Sequence, residues 1–166
     1  MIANYFIIDD LSLKQIEKMT YENLLDKVEQ MLDDDIGYPC CDIDTIWQGL
    51  YFLISSKKEP IFDENDFNIF AKSSFIFGNN ILSQNNFISF IKKDDVTNIL
   101  KEIEKIDIKN IEFLPKIFDE NKIYPNLWLK EDKEILFEEM EMAFDELKMF
   151  FEKASKQNKN ILVTIM

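Results

Sequence analysis

Residues 43–54 constrain the fold most, because their apolar side chains would cover almost the whole surface of a helix. A stripe at helical spacing is formed by Ile43, Trp47, Leu50 and Ile54, and it is widened by Ile46, Phe52 and Leu53. A helix that is apolar nearly all round is stable only when other elements cover it. This segment therefore predicts a central, buried helix. The carboxylate of Asp42 or Asp44 is expected to accept free N–H groups where the helix begins.

Short apolar runs predict strands at both ends of the chain and in its middle. Residues 5–8 and 161–165 are rich in β-branched and aromatic side chains, as are residues 87–91 and 75–77. Such runs, bounded by polar or turn residues, are typical of buried strands. We expect the two terminal strands to share one sheet, which would fix both chain ends.

The remaining apolar residues follow helical periodicity. Ser12 and Gln15 have the spacing of a capping box before a first helix, and residues 24–32 continue the apolar stripe. Asp94 or Asp95 is expected to cap a helix over residues 96–103, residues 108–114 suggest a short helix, and residues 132–155 predict a long one. Helices between few strands predict one α+β domain over residues 1–166, helix-rich around a small mixed sheet that contains the N- and C-terminal strands.

The charge balance limits the classes of partner. The chain has 32 acidic residues against 19 basic ones, all of them lysine, and a net charge of −13. Nucleic acids and anionic membranes require basic patches, so we expect neither as a partner. A cationic partner is compatible, although excess acid also serves solubility alone. With no basic leader and no run of ~20 apolar residues, the expected location is the cytoplasm.

The usual catalytic and metal-binding patterns do not occur in the sequence. Histidine is absent, which excludes Ser–His and Cys–His nucleophiles in their usual form, and the three glycines do not cluster as a phosphate loop would require. Cys40 and Cys41 are adjacent and lack the further ligands of a zinc site, so we expect reduced thiols. Asp33 and Asp35 begin with the spacing of a calcium loop, but Tyr38 stands where that loop needs glycine. We therefore predict no metal, no cofactor and no catalytic residue.

Two segments, residues 42–54 and 123–128, resemble a known family, and we call them the two islands. Asp42-Ile43-Asp44-Thr45-Ile46-Trp47-Gln48-Gly49-Leu50-Tyr51-Phe52-Leu53-Ile54 is followed downstream by Ile123-Tyr124-Pro125-Asn126-Leu127-Trp128, then by the long helix and the C-terminal strand. With these features the chain resembles the YfbM-like family of small bacterial proteins, whose domain has no assigned function. Relatives tend to carry lysine at the position of Thr45 and histidine at that of Tyr51. A packing or binding surface tolerates such replacements more easily than an active site does.

The same islands supply the candidate site residues, which are Asp42, Asp44, Trp47, Tyr51, Tyr124 and Trp128. In one interpretation they bind a protein or small ligand, with exposed aromatic side chains as anchors. The chain would then be a non-catalytic interaction module, in a narrower version an immunity-type protein that neutralises a basic partner. In the alternative, a carboxylate-dependent hydrolase or small-ligand enzyme is centred on Asp42, Asp44 and Tyr51. A third interpretation is structural: the carboxylates start a helix and the aromatic side chains fill the core.

Overall fold

The two ends of the chain pair with each other inside a five-stranded sheet. A computed structural model describes residues 1–33, 37–55, 76–78, 80–84 and 86–166. Strands β1 (Ala3–Ile8) and β5 (Asn160–Ile165) lie side by side with Tyr5 opposite Val163. The full order is β2 (Cys40–Asp42), β1, β5, β4 (Phe87–Ile91) and β3 (Asn80–Ser83). The predicted sharing of one sheet by the terminal strands is confirmed, but all its pairs are antiparallel rather than mixed.

Six α-helices accompany the sheet in the described ranges. They are α1 (Asp10–Ile16), α2 (Tyr21–Leu32), α3 (Trp47–Ile54), α4 (Lys93–Ile103), α5 (Pro115–Glu120) and α6 (Lys133–Lys156). Short 3-10 turns at Asp44–Ile46 and Ile108–Asn110 precede α3 and α5. The helix-rich α+β fold is thus confirmed, and the long final helix lies within a residue of its predicted bounds.

Alternation along the strands divides the interior into two cores. Phe6 and Ile8 of β1 pack with Val28 and other apolar residues of α1 and α2 on one face of the sheet. Tyr5 and Ile7 point to the other face, where α3, α4 and α6 form the larger core. Successive side chains of a strand point to opposite faces, so an apolar run without polar interruption indicates that both faces are covered.

Two of the predicted helix caps are wrong. The N-cap of α1 is Asp9, whose carboxylate accepts a hydrogen bond from the N–H of Ser12 at 2.7 Å, and that bond lowers the pKa of Asp9. At the start of α4, Lys92 occupies the N-cap, and the N–H of Lys93 donates to Asn160 Oδ1 at 3.0 Å. The cap therefore comes from a neighbouring strand, and no local sequence pattern encodes that contact.

The sheet edges also differ from the prediction. Strands β2 and β3 were not predicted, because three or four residues of mixed polarity carry little periodic signal. Ile76 and Phe77 form a turn rather than a strand, while residue 75 lies outside the described residues. The helix predicted over residues 108–114 is a 3-10 turn, and α5 begins at Pro115, a position in which proline is favoured.

Candidate functional site

Trp47 lies at the first turn of α3 and is 1% exposed. Its indole N–H donates to the carbonyl oxygen of Met1 at 3.2 Å. Its ring meets that of Phe77 edge-on at 5.8 Å between centroids and that of Tyr124 at 6.0 Å. The central, buried helix predicted from residues 43–54 is confirmed, and its first aromatic residue ties α3 to the N-terminus.

The second island packs directly on α3. The backbone N–H of Tyr124 donates to the buried Gln48 Oε1 at 2.6 Å, and the Tyr124 hydroxyl accepts a hydrogen bond from the Met1 ammonium at 2.7 Å. Trp128 is buried, and its indole N–H donates to Ile123 O at 2.6 Å. The two islands are therefore adjacent in space, with Trp128 in the core and Tyr124 half-buried at its margin.

The contact between α3 and Trp128 depends on a glycine. A Cβ built on Gly49 would lie 2.6 Å from Cζ2 of Trp128 and nearer still to Cη2. The same indole meets Phe118 at 4.8 Å and Phe113 at 6.0 Å between ring centroids. Gly49 thus permits the close approach of helix and indole, a common reason for glycine within an element.

Tyr51 lies one turn after Trp47, in the same core. It is buried, and its ring meets Phe77 at 5.1 Å between centroids. Tyr51 is thus a core side chain, whereas the two carboxylates with which the enzyme hypothesis groups it are exposed.

Asp42 and Asp44 are exposed at the turn between β2 and α3. Asp42 Oδ1 accepts from the N–H of Asp44 at 2.7 Å, and Asp44 Oδ1 accepts from the N–H of Thr45 at 2.6 Å. Asp44 has a φ of 49°, a left-handed conformation that Asp and Asn adopt more readily than most residues. Both carboxylates therefore bind N–H groups of the turn that leads into α3, whereas the N-cap of α3 itself is Ile46, with no side-chain hydrogen bond, so the predicted carboxylate contacts serve the 3-10 turn rather than α3. Each carboxylate keeps a second oxygen for other contacts.

An open cavity of about 260 Å³ lies between this turn and α6. Its lining combines carboxylates with apolar side chains and consists of Asp42, Ile43, Asp44, Thr45, Ile46, Glu139, Met142, Ala143 and Glu146. A second cavity of about 430 Å³ continues along β2 and is lined by Cys40, Cys41, Asp42, Glu146, Met149, Phe150 and Lys153. Asp42 and Glu146 line both, so the two cavities are neighbours, and we refer to them together as the β2–α6 groove.

The α6 wall of this groove was missed in the sequence. Ile135, Met142 and Met149 are exposed and recur every seven residues on α6. A stripe of apolar residues on the outer face of a long helix was the available signal. The inward residues dominate the apolar pattern of α6, and they obscured the outer stripe.

The two cysteines differ because they alternate along β2. Cys41 is buried, and burial, with smaller contributions from Glu146, Cys40 and Asp42, raises its pKa to about 12. Cys40 is exposed, and its thiol donates a hydrogen bond to Asn4 Oδ1 with the sulfur 3.8 Å from that oxygen.

Within the described residues, no three His, Cys, Asp or Glu side chains are grouped so as to hold a metal ion. None of the helices described is both long and apolar enough to cross a bilayer.

Comparison with known proteins supports the resemblance noted in the sequence. The family model described as "Domain of unknown function (DUF1877)" matches residues 1–164. A crystal structure titled as a protein of unknown function, YfbM, from Escherichia coli is similar over 100% of both chains, with a TM-score of 0.70 and 22% identity, and this likeness concerns the fold. No curated protein matches the chain. Since the family model spans nearly every residue, the chain belongs to the DUF1877 family, and the resemblance to YfbM predicted from its two islands is confirmed by the shared fold.

Proposed function

We propose that this protein is a non-catalytic interaction module that binds a basic protein through the β2–α6 groove. The observation that carries the proposal is the makeup of that groove, in which exposed Asp42, Asp44, Glu139 and Glu146 stand beside apolar side chains. Carboxylates around an open apolar surface attract a cationic partner and hold it in register. The proposed location is the cytoplasm, and an immunity-type neutraliser of a basic protein is the narrower form of the proposal.

The candidate aromatic residues have a supporting part in this proposal. Trp47 and Tyr124 both bond to Met1, at its carbonyl oxygen and its ammonium respectively, while Trp128 fixes α3 through Gly49. These contacts hold α3, which directly follows the end of β2 at Asp42 and the 3-10 turn that begins at Asp44. We therefore assign partner contact to the two carboxylates and to the half-buried Tyr124, and orientation of the turn to the two tryptophans.

The hydrolase alternative lacks a comparable observation. Tyr51 packs on Phe77 and is not among the residues that line either cavity of the groove. One oxygen of each aspartate already accepts a hydrogen bond from a backbone N–H of the turn before α3. A screen over phosphoester, ester and glycoside substrates tests this directly. Turnover that Asp42→Asn or Asp44→Asn abolishes, with the circular dichroism spectrum unchanged, would favour the enzyme.

Affinity capture tests the interaction module. The immobilised chain is incubated with lysate of its native host, and bound proteins are eluted by salt and identified by mass spectrometry. We expect a basic protein that the Asp42→Asn/Asp44→Asn variant no longer retains, because asparagine keeps the turn's hydrogen bonds and removes only the charge. Glu22→Gln/Glu29→Gln on α2 is the matched control, with the same change of charge on the opposite face of the sheet. Equal loss in both variants would indicate unspecific ion exchange and refute the proposal.

A further inference from the structure

The outer face of α6 carries a stripe of exposed apolar side chains, which no other described part of the chain covers. Ile135, Met142 and Met149 are 55%, 64% and 68% exposed. Seven residues make about two helical turns, so neighbouring members lie ~10.5 Å apart along one face. Full burial of a side chain of this size is worth ~1.5–3 kcal/mol relative to full exposure. Three such side chains aligned on one face are therefore a candidate contact surface.

The stripe borders the β2–α6 groove. Met142 lines the cavity beside the 3-10 turn, and Met149 lines the cavity beside β2. Ala143 and Phe150, each one residue further along α6, add apolar surface to the same two cavities. Each exposed methionine therefore stands at the margin of a recess large enough for an apolar side chain. Methionine is flexible and polarisable, and it adapts well to an incoming partner.

The charge around the stripe has one dominant sign. Five carboxylates and one lysine lie between Ile135 and Met149 on α6, and helical spacing places Glu138, Glu139, Asp145 and Glu146 next to the stripe. None of these four forms a salt bridge with any residue that the structure describes. Unpaired like charges that flank an apolar seam repel each other until an opposite charge arrives. The stripe with its flanking carboxylates therefore complements a basic, amphipathic surface.

From this arrangement we infer that α6 is the docking helix for an amphipathic basic helix of a partner protein. Apolar residues of that helix, at heptad spacing, pack against Ile135, Met142 and Met149 and enter the two recesses. Its lysine or arginine side chains face Glu139 and Glu146, as flanking charges do in helix pairs. The inference rests on the proposed interaction with a basic protein and adds which surface is used and what the partner presents there.

A second copy of the chain fits the same surface poorly. Two protomers that meet along α6 would bring carboxylate rows together, and each carries a net charge of −13. Like charges across an interface cost several kcal/mol, so specific pairing needs a partner of opposite sign. Sedimentation velocity supplies the check. If the chain is a dimer that Met142→Ser/Met149→Ser converts to monomer, the stripe is a self-contact and the inference fails.

The test uses a fluorescently labelled synthetic peptide with leucine at heptad positions and lysine on both flanks. Its anisotropy is followed against the full chain, together with a peptide of the same composition in scrambled order. We expect the ordered peptide to bind more tightly, and Met142→Ser/Met149→Ser to weaken that binding by tenfold or more, equivalent to ~1.4 kcal/mol. Glu139→Gln/Glu146→Gln should weaken it similarly and reduce its salt dependence, since surface charges are screened beyond ~10 Å at 0.1 M salt.

Matched controls separate docking from general attraction. Leu11→Ser removes an exposed apolar side chain of α1, and Glu22→Gln/Glu29→Gln removes two charges from α2, so neither should change the affinity. Absent binding, equal binding of the scrambled peptide, or equal loss in the control variants would overturn the inference. If host-lysate capture still yields a basic protein that is lost through Asp42→Asn/Asp44→Asn and not through Met142→Ser/Met149→Ser, the inference fails while the proposed function stands.

Discussion

Gly49→Ala is expected to destabilise this protein, against the usual effect of the substitution. Within an exposed helix, alanine is favoured over glycine by ~0.5–1 kcal/mol. Here the new Cβ would lie 2.6 Å from Trp128 Cζ2, roughly 1 Å short of the ~3.5–4.0 Å separation of carbon atoms in contact. Trp128 is buried and is held by its hydrogen bond to Ile123 and its contact with Phe118, so its ring cannot withdraw freely.

Overpacking of a close-packed core costs ~1–3 kcal/mol, and an overlap on two ring atoms belongs to the upper part of that range. After the gain in helix propensity, we expect Gly49→Ala to lower the free energy of unfolding by ~1–2 kcal/mol. For a chain of this length that corresponds to ~2–8 °C in melting temperature. Urea denaturation followed by circular dichroism measures the free energy directly.

A double-mutant cycle identifies the cause. Trp128→Phe removes the ring atoms that the new methyl group meets, so Gly49→Ala should cost less in that background than in the natural chain. Coupling of at least ~0.5 kcal/mol is the expected result. If Gly49→Ala raises the stability of the natural chain, or if the two substitutions are additive, the close approach of α3 to Trp128 does not limit this position.

Three further outcomes are expected. Trp47→Ala should cost ~3–5 kcal/mol in urea denaturation, as for a large aromatic side chain removed from a core, and a loss below ~1 kcal/mol would show that the indole is at the surface. Cys40 should react with Ellman's reagent in the folded protein, whereas Cys41, buried with a pKa of about 12, should react only after unfolding, and two fast thiols would contradict this placement. Lys93 lowers the pKa of Asp10 through their hydrogen bond, so Asp10→Asn should reduce stability near neutral pH. Because a depressed carboxyl pKa stabilises the fold above the unfolded value of ~3.9, that difference should vanish as the pH falls through the folded pKa of Asp10, and a constant difference down to low pH would refute it.

The bond between Lys93 and Asp10 also acts at the alkaline end of the pH range. The pKa of Lys93 is raised, chiefly by its hydrogen bond to Asp10. A raised lysine pKa stabilises the fold below the unfolded value of ~10.4 and ceases to do so as the pH rises through the folded value. Lys93 therefore stays protonated from neutral to acid pH, and its titration adds no pH dependence to the stability in that range.

The sequence alone determined the elements whose signal is periodic and long. The largely apolar segment around Trp47 predicted a covered helix, and the apolar runs at residues 5–8 and 161–165 predicted strands with both faces buried. The long α6 followed from its regular inward stripe. Hydrophobic burial decides these features, and it acts on each segment almost independently of the others.

Only the tertiary structure decided the contacts between segments that are distant in the chain. Asn160 caps α4, Gln48 accepts a hydrogen bond from the N–H of Tyr124, and Gly49 makes room for Trp128. None of these pairings leaves a local pattern in the sequence. The β2–α6 groove arises in the same way, because residues 40–46 and 139–153 meet only once the sheet has formed. The helical spacing of Met142 and Met149 would be the same whether or not another element formed a recess beside them. The sequence therefore could not reveal the candidate site, which depends on how β2 and α6 pack.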